Sequence, residues 1–389
     1  SNITVTMTKT TTVLLLTLSW IVATMNTMKW AGIAVSAFQA RTHGSRSTRS
    51  LLHQSPRLFS SPSENNSDDT NGSGSESSNE PSTSKKKRLL VLGGTGFLGG
   101  TICNRAKLEG YHVTSLSRRG VPPFPSSTSS QQGQPTSTSS TTPSTTTVSS
   151  NSGINRIDYR RGDARQPDTV RKILAEHDDY VGVVHAIGLL FDDDSGLGNY
   201  NQFVSGSGSV PDESSTYDSI TRQSAFYAID AAIEYAQRRK QMDGEDDGAT
   251  KKFPFVFISA AEAGWPDVPG GQQVEQFLAP EWLKRYLEAK RKVESKLLPS
   301  SDGESIGESI VASDVLRPII PRPSLIYSLD RPASYLPVGA FFVGNRVGLP
   351  FVDRPVTVQA LSNAIVRSIN PDSSVEGILR YERIDELSQ

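Results

Sequence analysis

The sequence has 389 residues, of which 35% are hydrophobic, and a formal net charge of −1 at pH 7. This near-zero charge gives no indication of a nucleic-acid partner, so none is predicted. The single cysteine, Cys103, excludes an internal disulfide framework and a multi-cysteine zinc site, and no metal site is predicted. Once the stretches rich in Ser, Thr, Gly and Pro are set aside, roughly 240 residues remain, a normal size for one α/β domain.

Residues 1–61 are predicted to be a targeting presequence. Thr11–Met25 is an uncharged apolar run with the length of a signal-peptide core, too short to predict a membrane span. Arg41–Arg57 contains four arginines and no acidic residue, which is the composition of a transit peptide.

Two organelles are compatible with this presequence. Arg57–Ser61 resembles a mitochondrial processing site, whereas Val35–Phe38 after the apolar run resembles the two-part plastid address of algae with secondary plastids. The mitochondrion is the preferred prediction and the plastid is the alternative. The first residue is Ser1, so the start codon is left open; initiation at Met28 would remove the apolar run and favour the mitochondrion.

Residues 62–84 form a polar, low-complexity stretch that cannot bury enough apolar surface to offset its ordering entropy, so they are predicted to be a disordered linker. An NAD(P)-binding domain is predicted over 85–389. Three segments within it have loop composition and are predicted to be disordered insertions, namely 121–153, 192–215 and 241–250.

The most informative stretch is a short apolar run, Leu89–Leu92, followed by glycines at positions 93, 96 and 99. A strand that enters such a turn and then a helix forms the phosphate-binding entrance of a dinucleotide-binding βαβ unit. Glycines allow a tight turn and a close approach to the pyrophosphate, and the helix N-terminus offers unpaired N–H donors. The helix is expected to end at Gly110.

The end of the second predicted strand bears on the choice of cofactor. An acidic residue there would bind the ribose hydroxyls of NAD, but the strand His112–Leu116 is followed by Ser117, Arg118 and Arg119. A hydroxyl and two guanidinium groups suit a ribose 2′-phosphate, so NADP is predicted and NAD is less favoured. Solvated arginines are the alternative interpretation.

Strands and helices alternate along the rest of the domain. Further strands are predicted at 154–159, 181–185, 253–259, 310–316, 324–327, 355–358 and 378–381. Further helices are predicted at 169–177, 217–239, 280–298 and 359–369. This order predicts an α/β fold with a doubly wound parallel sheet and a small C-terminal subdomain, and places the ligand beyond the carboxyl ends of the strands.

One predicted helix contains Tyr286 and Lys290, which lie one turn apart and can face the same cleft. We expect the lysine ammonium to lower the phenol pKa, which would make Tyr286 a usable acid or base. Spacing alone also fits a half-buried ring beside a solvated amine. His185 is expected to be a packing residue at a strand end.

Several motifs together resemble the extended or atypical short-chain dehydrogenase/reductase superfamily. They are the glycine turn, Gly162-Asp163, His185-Ala186, Tyr286-x-x-x-Lys290 and Arg322-Pro323-x-x-Ile326-Tyr327. The stretches Leu92–Gly99, Tyr217–Thr221 and Tyr286–Glu294 are similar to a subgroup that includes the accessory NADPH-binding subunit of mitochondrial complex I, coenzyme Q biosynthesis reductase-like proteins and plant plastid relatives.

This resemblance implies a role for individual residues. The catalytic pair would be Tyr286 as acid/base and Lys290, which would also hold the nicotinamide ribose. The cofactor-binding residues would be Gly93, Thr95, Gly96, Phe97, Leu98 and Gly99 at the pyrophosphate, Ser117 and Arg118 at the adenosine phosphate, Asp163 at the adenine, and Ala186, Ile187 and Gly188 at the central ribose region.

The sequence departs from this pattern after the fifth strand. Active extended members usually place their catalytic hydroxyl where this chain has Ala261, and Ser259 is expected instead to be a strand-end hydrogen-bonding residue. Loss of that hydroxyl would weaken the stabilisation of an oxyanion. Enzymatic activity therefore stays open at this point.

Two functions follow from the resemblance. One is an NADP(H)-binding protein that supports mitochondrial coenzyme Q biosynthesis or the assembly and stability of a respiratory complex, with a membrane-associated protein complex as partner. The other is an active NADP-dependent reductase or isomerase acting on a hydrophobic quinone-like or isoprenoid substrate. Apolar residues between Tyr327 and Pro355 fit an apolar ligand, a partner surface or an ordinary subdomain core.

Overall fold

The computed structural model of the chain describes residues 87–121, 156–189, 191–195, 214–243, 251–298, 312, 314–330, 335–346 and 352–389. The predicted presequence and linker lie outside the described residues, as does nearly all of the predicted insertion 121–153. Of the second predicted insertion, residues 192–195 and 214–215 are described, and Asp192 and Ser215 among them are buried. Residues 241–243 of the third complete a helix.

Seven parallel strands form the main sheet, in the order β3-β2-β1-β4-β5-β6-β9. The strands are Arg88–Leu92 (β1), His112–Ser117 (β2), Ile157–Arg161 (β3), Tyr180–His185 (β4), Phe253–Phe257 (β5), Leu316–Pro321 (β6) and Gly377–Leu379 (β9). Two further strands, Ile326–Tyr327 (β7) and Val356–Thr357 (β8), pair with each other. The predicted doubly wound parallel sheet is confirmed, and its order reverses between β1 and β4, where such sheets bind ligands.

Eight α-helices are present in the described part of the chain. They are Phe97–Leu108 (α1), Pro167–Ala175 (α2), Ser224–Asp243 (α3), Gly271–Leu278 (α4), Glu281–Leu297 (α5), Tyr335–Arg346 (α6), Val358–Ile369 (α7) and Tyr381–Ser388 (α8). A π-helical turn, Asp218–Gln223, leads into α3, and a 3₁₀ segment, Ala261–Asp267, follows β5. None of the helices in these ranges combines the length and the hydropathy that a membrane span requires.

The sheet is covered on both faces, and the strands β1, β4 and β5 are mostly apolar, whereas the edge strand β3 is polar and partly exposed. On one face α2, α3 and α5 bury a cluster that includes Val170, Ile229 and Val293. On the other face α1, α7 and α8 bury a second cluster that includes Ile102 and Ile365. The helices cover the two faces of the sheet, so the carboxyl ends of β1 to β5 stay accessible. Loops and helix N-termini meet at this edge.

The sixth strand lies later in the chain than its predicted position. Residues 312, 314 and 315 are helical, and the strand runs over Leu316–Pro321, paired with β5 in the register Phe255 to Pro318. The prediction of a strand at 310–316 was therefore wrong at 312, 314 and 315, and of its described residues only Leu316 lies in the strand. Arg317 and two prolines resemble strand breakers, but Arg317 is buried because backbone acceptors surround it.

Those acceptors lie at the end of α7. The Arg317 guanidinium donates to the carbonyl oxygens of Ser368 at 3.0 Å, Asn370 at 3.0 Å and Val375 at 2.7 Å. These carbonyls belong to the last turn of a helix and the segment after it, where backbone acceptors lack intrahelical partners and the dipole is negative. The Arg317 side chain on β6 thus satisfies backbone carbonyl groups at the C-terminus of α7, which packs on one face of the sheet.

Candidate functional site

The turn between β1 and α1 is built so closely that glycine is required. Gly93 has φ +83° and its N–H donates to the Leu116 carbonyl at 2.8 Å, which ties the turn to β2. A Cβ at Gly99 would lie 2.2 Å from the Gly93 carbonyl oxygen, and a Cβ at Gly94 would lie 2.3 Å from Ser115 Oγ. The helix therefore starts directly against the strand end.

The N-terminus of α1 has the donors that a pyrophosphate needs. Gly96 is the N-cap and supplies no side-chain hydrogen bond, so no side chain competes for the first N–H groups of α1. Thr95 is buried in the turn, and the side chains of Phe97 and Leu98 pack into the second hydrophobic cluster. Phe97 and Leu98 can contribute backbone N–H groups to a cofactor, whereas the Leu98 side chain belongs to the core.

The predicted cofactor residues lie along one edge of the sheet. The Ala186 N–H donates to the Leu92 carbonyl at 2.9 Å, and a Cβ at Gly93 would lie 2.9 Å from the Ala186 carbonyl oxygen. Ile187 also contacts the Gly93 position, whereas nothing lies within 4 Å of a Cβ placed at Gly188. The structure brings Ala186 and Ile187 to the glycine turn and leaves Gly188 exposed.

The opposite end of this edge lies at β2 and β3. The Gly120 N–H donates to Ser117 Oγ at 3.0 Å, which folds the loop after β2 back, and Arg118 is exposed on that loop. The Gly162 N–H donates to the Ser117 carbonyl at 3.0 Å. Asp163, the next residue after Gly162, therefore lies close to the end of β2. This corner brings together the residues predicted to hold the adenosine end.

Asp163 is occupied by Arg165. The Arg165 backbone N–H lies 2.9 Å from Asp163 Oδ1, and its guanidinium Nη2 lies 2.7 Å from Oδ2. Burial alone would raise the pKa of Asp163, but the hydrogen bonds and charge of Arg165, with a smaller effect of Arg118, outweigh burial and lower the pKa. The carboxylate is ionised at neutral pH and its charge is compensated within the protein.

Tyr286 and Lys290 lie on α5, which packs beside the end of β5. Lys290 is only 3% exposed, and its Nζ donates to the Ile258 carbonyl at 2.6 Å while lying 4.9 Å from the centre of the Phe257 ring. Burial lowers the pKa of Lys290 to about 8. The ammonium therefore sits at the strand end next to Tyr286, with part of its hydrogen-bonding capacity used by the backbone.

The expected activation of Tyr286 by Lys290 does not occur. Burial and the nearby charge of Glu262, together with Tyr217, raise the pKa of the phenol above its ordinary value. Lys290 Nζ lies over the Tyr286 ring, 5.5 Å from its centre, and the Tyr217 ring packs edge-on at 5.5 Å. The prediction of a lowered phenol pKa was wrong because burial, the charge of Glu262 and Tyr217 all raise the pKa, and Lys290 makes no opposing contribution.

Parts of this chain are similar in sequence to known proteins. Residues 89–204 match the NAD dependent epimerase/dehydratase family. The chain is 24% identical over 330 residues to MIOREX complex component 2 of Saccharomyces cerevisiae, covering 76% of this chain and 98% of that protein. Residues 89–204 are therefore similar to the NAD(P)-binding domains of this family.

Solved structures with a similar architecture include two nucleotide complexes. ElxO with NADP bound is 14% identical, covers 76% of this chain and 96% of its own, and has a TM-score of 0.45. The UDP-glucose 4-epimerase of Thermus thermophilus in complex with NAD is 17% identical, covers 75% of this chain and 76% of its own, and has a TM-score of 0.40.

Position 261, where the sequence resemblance implies a catalytic hydroxyl, is occupied by alanine. Ala261 contributes a backbone hydrogen bond, which its N–H donates to the Pro323 carbonyl at 3.0 Å. Ser259 is buried, its N–H donates to the Pro321 carbonyl at 2.9 Å, and its Oγ has no partner among the described residues. The expected hydrogen-bonding role of the Ser259 side chain is therefore not found there.

The sequence prediction missed Glu262. It lies in the first turn of the 3₁₀ segment after β5 and accepts a hydrogen bond from Ser324 Oγ at 3.3 Å. Burial raises the pKa of Glu262 to about 7, with an additional contribution from the charge of Asp353. An acidic residue shortly after the fully apolar strand Phe253–Phe257 was the available signal, since side chains after such strands gather at the ligand-binding edge.

Helix α5 is fixed to the sheet by a buried ion pair that was also missed. The Arg322 guanidinium binds Glu294 through two contacts of 2.9 and 2.6 Å, and Nη1 lies 3.3 Å from Asp267 Oδ2. Arg322 and Glu294 are 6% and 5% exposed. Because Glu294 lies one turn beyond Lys290, this pair sets the position of the catalytic candidates relative to β6.

His185 is buried at the end of β4, as predicted for a packing residue. Its Nε2 lies 2.9 Å from Ser224 Oγ, and its ring contacts Phe257. Burial, followed by the charge of Lys290, lowers the pKa of His185 to about 3, so the ring is neutral at physiological pH. Across the described ranges, no group of three or more His, Cys, Asp and Glu residues is placed to hold a metal ion.

Proposed function

We propose that this protein binds NADP(H) and works within a larger protein assembly, with the nucleotide as a stabilising or sensing ligand. The observation that carries binding is the β1–α1 turn, in which a Cβ at Gly99 would collide with Gly93 and the helix N-terminus has no capping side chain. This arrangement fits a pyrophosphate. Ala261 and the raised pKa of Tyr286 favour binding over SDR-type turnover.

The preference for NADP over NAD is supported by the corner at β2 and β3. Arg118 and Arg119 are exposed after β2, and Ser117 lies at the strand end. Asp163 is neutralised by Arg165 and therefore offers little repulsion to a 2′-phosphate. Guanidinium groups bind phosphate through charge-assisted hydrogen bonds, so this corner suits the additional phosphate of NADP.

The assembly and its location are proposed from the sequence and the yeast relative. The protein similar to this chain over 98% of its own length is a component of the MIOREX complex. That relative supports a mitochondrial protein complex and does not bear on the plastid alternative. A role in coenzyme Q biosynthesis or in a respiratory complex rests on the subgroup resemblance, and imaging a tagged full-length chain tests the organelle.

The second candidate is an NADP-dependent reductase or isomerase with a hydrophobic quinone-like or isoprenoid substrate. The observation that favours it is Glu262, whose carboxyl group titrates near neutral pH beside Tyr286. A group with such a pKa can exchange protons at physiological pH. The lysine required beside the nicotinamide ribose is also present.

Cofactor titration of the full chain tests the first proposal. We expect NADPH to bind more tightly than NADH, and Arg118→Ala to weaken NADPH by roughly tenfold while NADH is unchanged, because one charge-assisted hydrogen bond is lost. Arg383→Ala is the matched control, since Arg383 is paired with Glu386 on α8. Absence of binding by all four nicotinamide dinucleotides would contradict both candidates.

Turnover separates the two candidates. NADPH oxidation is measured in the presence of a short-chain quinone, in the wild type and in Tyr286→Phe. Binding without turnover, unchanged by the substitution, is the result expected for a protein that holds the nucleotide. Turnover that Tyr286→Phe abolishes would replace the first candidate by the second.

A further inference from the structure

Asp163 and Arg165 form a compact ion pair in the loop between β3 and α2, at the corner predicted to hold the adenosine end of a nucleotide. The Arg165 backbone N–H and Nε lie 2.9 and 3.1 Å from Asp163 Oδ1. Nε and Nη2 lie 3.0 and 2.7 Å from Oδ2. An ionised carboxylate has about four lone-pair positions, so Arg165 takes up the accepting capacity of both Asp163 oxygens.

The loop itself holds this pair in place. The Gln166 N–H donates to the Asp163 carbonyl at 3.1 Å, which closes a tight turn, and Ala164 within the turn is buried. The side chains of Asp163 and Arg165 are 27% and 20% exposed, so solvent reaches only part of the pair. Because the two residues belong to one turn, the pair is present whenever this turn is folded.

A contact from a distant part of the chain holds the guanidinium from its other side. Arg165 Nη1 donates to Ser214 Oγ at 2.8 Å. Ser214 lies shortly before the π-helical turn, and its carbonyl accepts from the Thr216 N–H at 3.0 Å. Turning the guanidinium away from Asp163 would therefore break contacts with two separate parts of the chain.

The charges around Asp163 keep the carboxyl ionised. Burial opposes its ionisation, but the hydrogen bonds and charge of Arg165, with a smaller effect of Arg118, outweigh burial and lower the pKa. An ionised carboxylate has acceptor positions only and no proton to donate. Any ligand group that this carboxylate could bind must therefore be a donor, and it must compete with Arg165.

Purine bases differ at the group that a free carboxylate would recognise. Adenine has a 6-amino group, which donates a hydrogen bond, whereas hypoxanthine, like guanine, has a 6-oxo group, which accepts one. An unpaired carboxylate would accept a hydrogen bond from the amino group and repel the oxo group. Since Arg165 occupies the carboxylate, neither effect is available to select the base.

We propose that Arg165 is a specificity-determining residue that withdraws Asp163 from the purine, so that the dinucleotide site does not distinguish a 6-amino from a 6-oxo base. The proposal rests on the proposed function, because it requires the β1–α1 turn to bind a nicotinamide dinucleotide phosphate. It differs from the role that the sequence resemblance implies for Asp163, in which the carboxylate would hold the adenine. Asp163 holds Arg165 instead.

Isothermal titration calorimetry of the full chain with NADPH and with its hypoxanthine analogue tests the proposal. The two ligands carry the same phosphates and differ only in the purine base. We expect the wild type to bind both with dissociation constants within about threefold of each other, since no free carboxylate faces either base. A larger preference for either ligand would overturn the proposal and leave the proposed function intact. If neither ligand binds, the proposed function fails and this proposal falls with it.

Three variants test the residue assignment. Arg165→Leu frees the Asp163 carboxylate and should create a preference for NADPH of about tenfold, because the amino group gains a charged acceptor. The double variant Arg165→Leu/Asp163→Ala should lose this preference again. Asp163→Ala alone should bind the two ligands as equally as the wild type does, since Arg165 already occupies the carboxylate.

Arg160→Leu is the matched control, because Arg160 lies on the adjoining strand β3 and pairs with Asp158 and Glu176 at the surface. It should leave both dissociation constants unchanged. A purely structural role of Arg165 would weaken the two ligands alike and keep their ratio. Equal binding by Arg165→Leu, or a preference that survives in the double variant, would therefore overturn the proposal. The wild type and Asp163→Ala decide it even if Arg165→Leu fails to fold, since a changed ratio in Asp163→Ala would show that the base uses the carboxylate.

Discussion

A methyl group at position 99 would lie 2.2 Å from the carbonyl oxygen of Gly93, closer than any real Cβ contact. The atoms on both sides belong to the backbone, so neither can rotate away. The closeness of α1 to β1 therefore depends on a single missing carbon atom. Gly93 adds a positive φ that side chains rarely adopt, which makes the turn doubly dependent on glycine.

Gly99→Ala is expected to lower the free energy of unfolding by more than about 2 kcal/mol, because the turn must open to relieve the clash. Urea denaturation measures the change. Gly339→Ala is the control, since nothing lies within 4 Å of a Cβ at Gly339; because Gly339 lies inside α6, alanine there should raise stability by about 0.5–1 kcal/mol. A Gly99→Ala variant as stable as the wild type would contradict the geometry of the turn.

The lowered pKa of Lys290 determines how this residue changes the stability of the fold with pH. Its folded-state pKa of about 8 lies below the value of about 10.4 in an unfolded chain. Between these two values the unfolded state binds more protons, so the stability due to this group rises with pH, and at pH 7 the buried ammonium destabilises the fold.

Lys290→Met is therefore expected to raise the free energy of unfolding at pH 7 by about 2 kcal/mol, with the gain shrinking above pH 8. Unfolding is followed at pH 7, 9 and 10. Lys292→Met, at an exposed position of the same helix, should change stability by less than about 0.5 kcal/mol at every pH. A Lys290→Met variant that is less stable at pH 7 would show that the ammonium is not penalised by burial.

At the scale of elements, strands β1, β4 and β5 could be predicted because each is a short, mostly apolar run whose residues are buried in the sheet. β6 could not, since Arg317 and Pro318 look like breakers until the end of α7 is seen to supply acceptors for the guanidinium. The short helices α4 and α8 were missed because each has only eight residues, about two turns, which is too short for an apolar repeat to identify a helix reliably.

The candidate site shows the same division. The glycine turn and the Tyr286–Lys290 spacing are local patterns, so the sequence reveals them. The raised pKa of Tyr286 depends on burial and on Glu262, which is brought in from another element. Electrostatic environment depends on tertiary contacts, and a motif cannot report it.

Helix α5 is joined to the end of β6 by the buried pair of Arg322 and Glu294. Arg322→Met leaves Glu294 as an uncompensated buried charge, and we expect a loss of about 3–5 kcal/mol in the free energy of unfolding. The double variant Arg322→Met/Glu294→Met should recover most of this loss, because no buried unpaired charge is left; Asp267, the other partner of Arg322, is 56% exposed. A double variant no more stable than the single one would assign the loss to packing instead.

At the scale of the molecule, the end of the chain completes the second layer of the core. β9 extends the sheet beyond β6, and α8 then places Ile384, which is fully buried, against the cluster formed by α1 and α7. The helix that starts at the nucleotide turn thus shares its hydrophobic cluster with the last helix of the chain. Both ends of the described domain belong to one core.

Ile384→Ala should cost about 2–4 kcal/mol in the free energy of unfolding because it leaves a cavity in this shared cluster. Ile378→Ala is the matched control on β9, where the side chain is 37% exposed, and should cost less than about 1 kcal/mol. The two values are compared by urea denaturation. Equal costs would mean that α8 is not an integral part of the core.

The parallel sheet also separates the molecule into two sides. Each strand ends at the edge that carries the glycine turn, Glu262 and Tyr286, and each returning helix ends at the opposite edge. The chain leaves α3 at Asp243 and re-enters the sheet at Phe253, and both positions lie at that opposite edge. A fluorophore or affinity tag inserted between them would therefore lie on the side of the molecule remote from the candidate site.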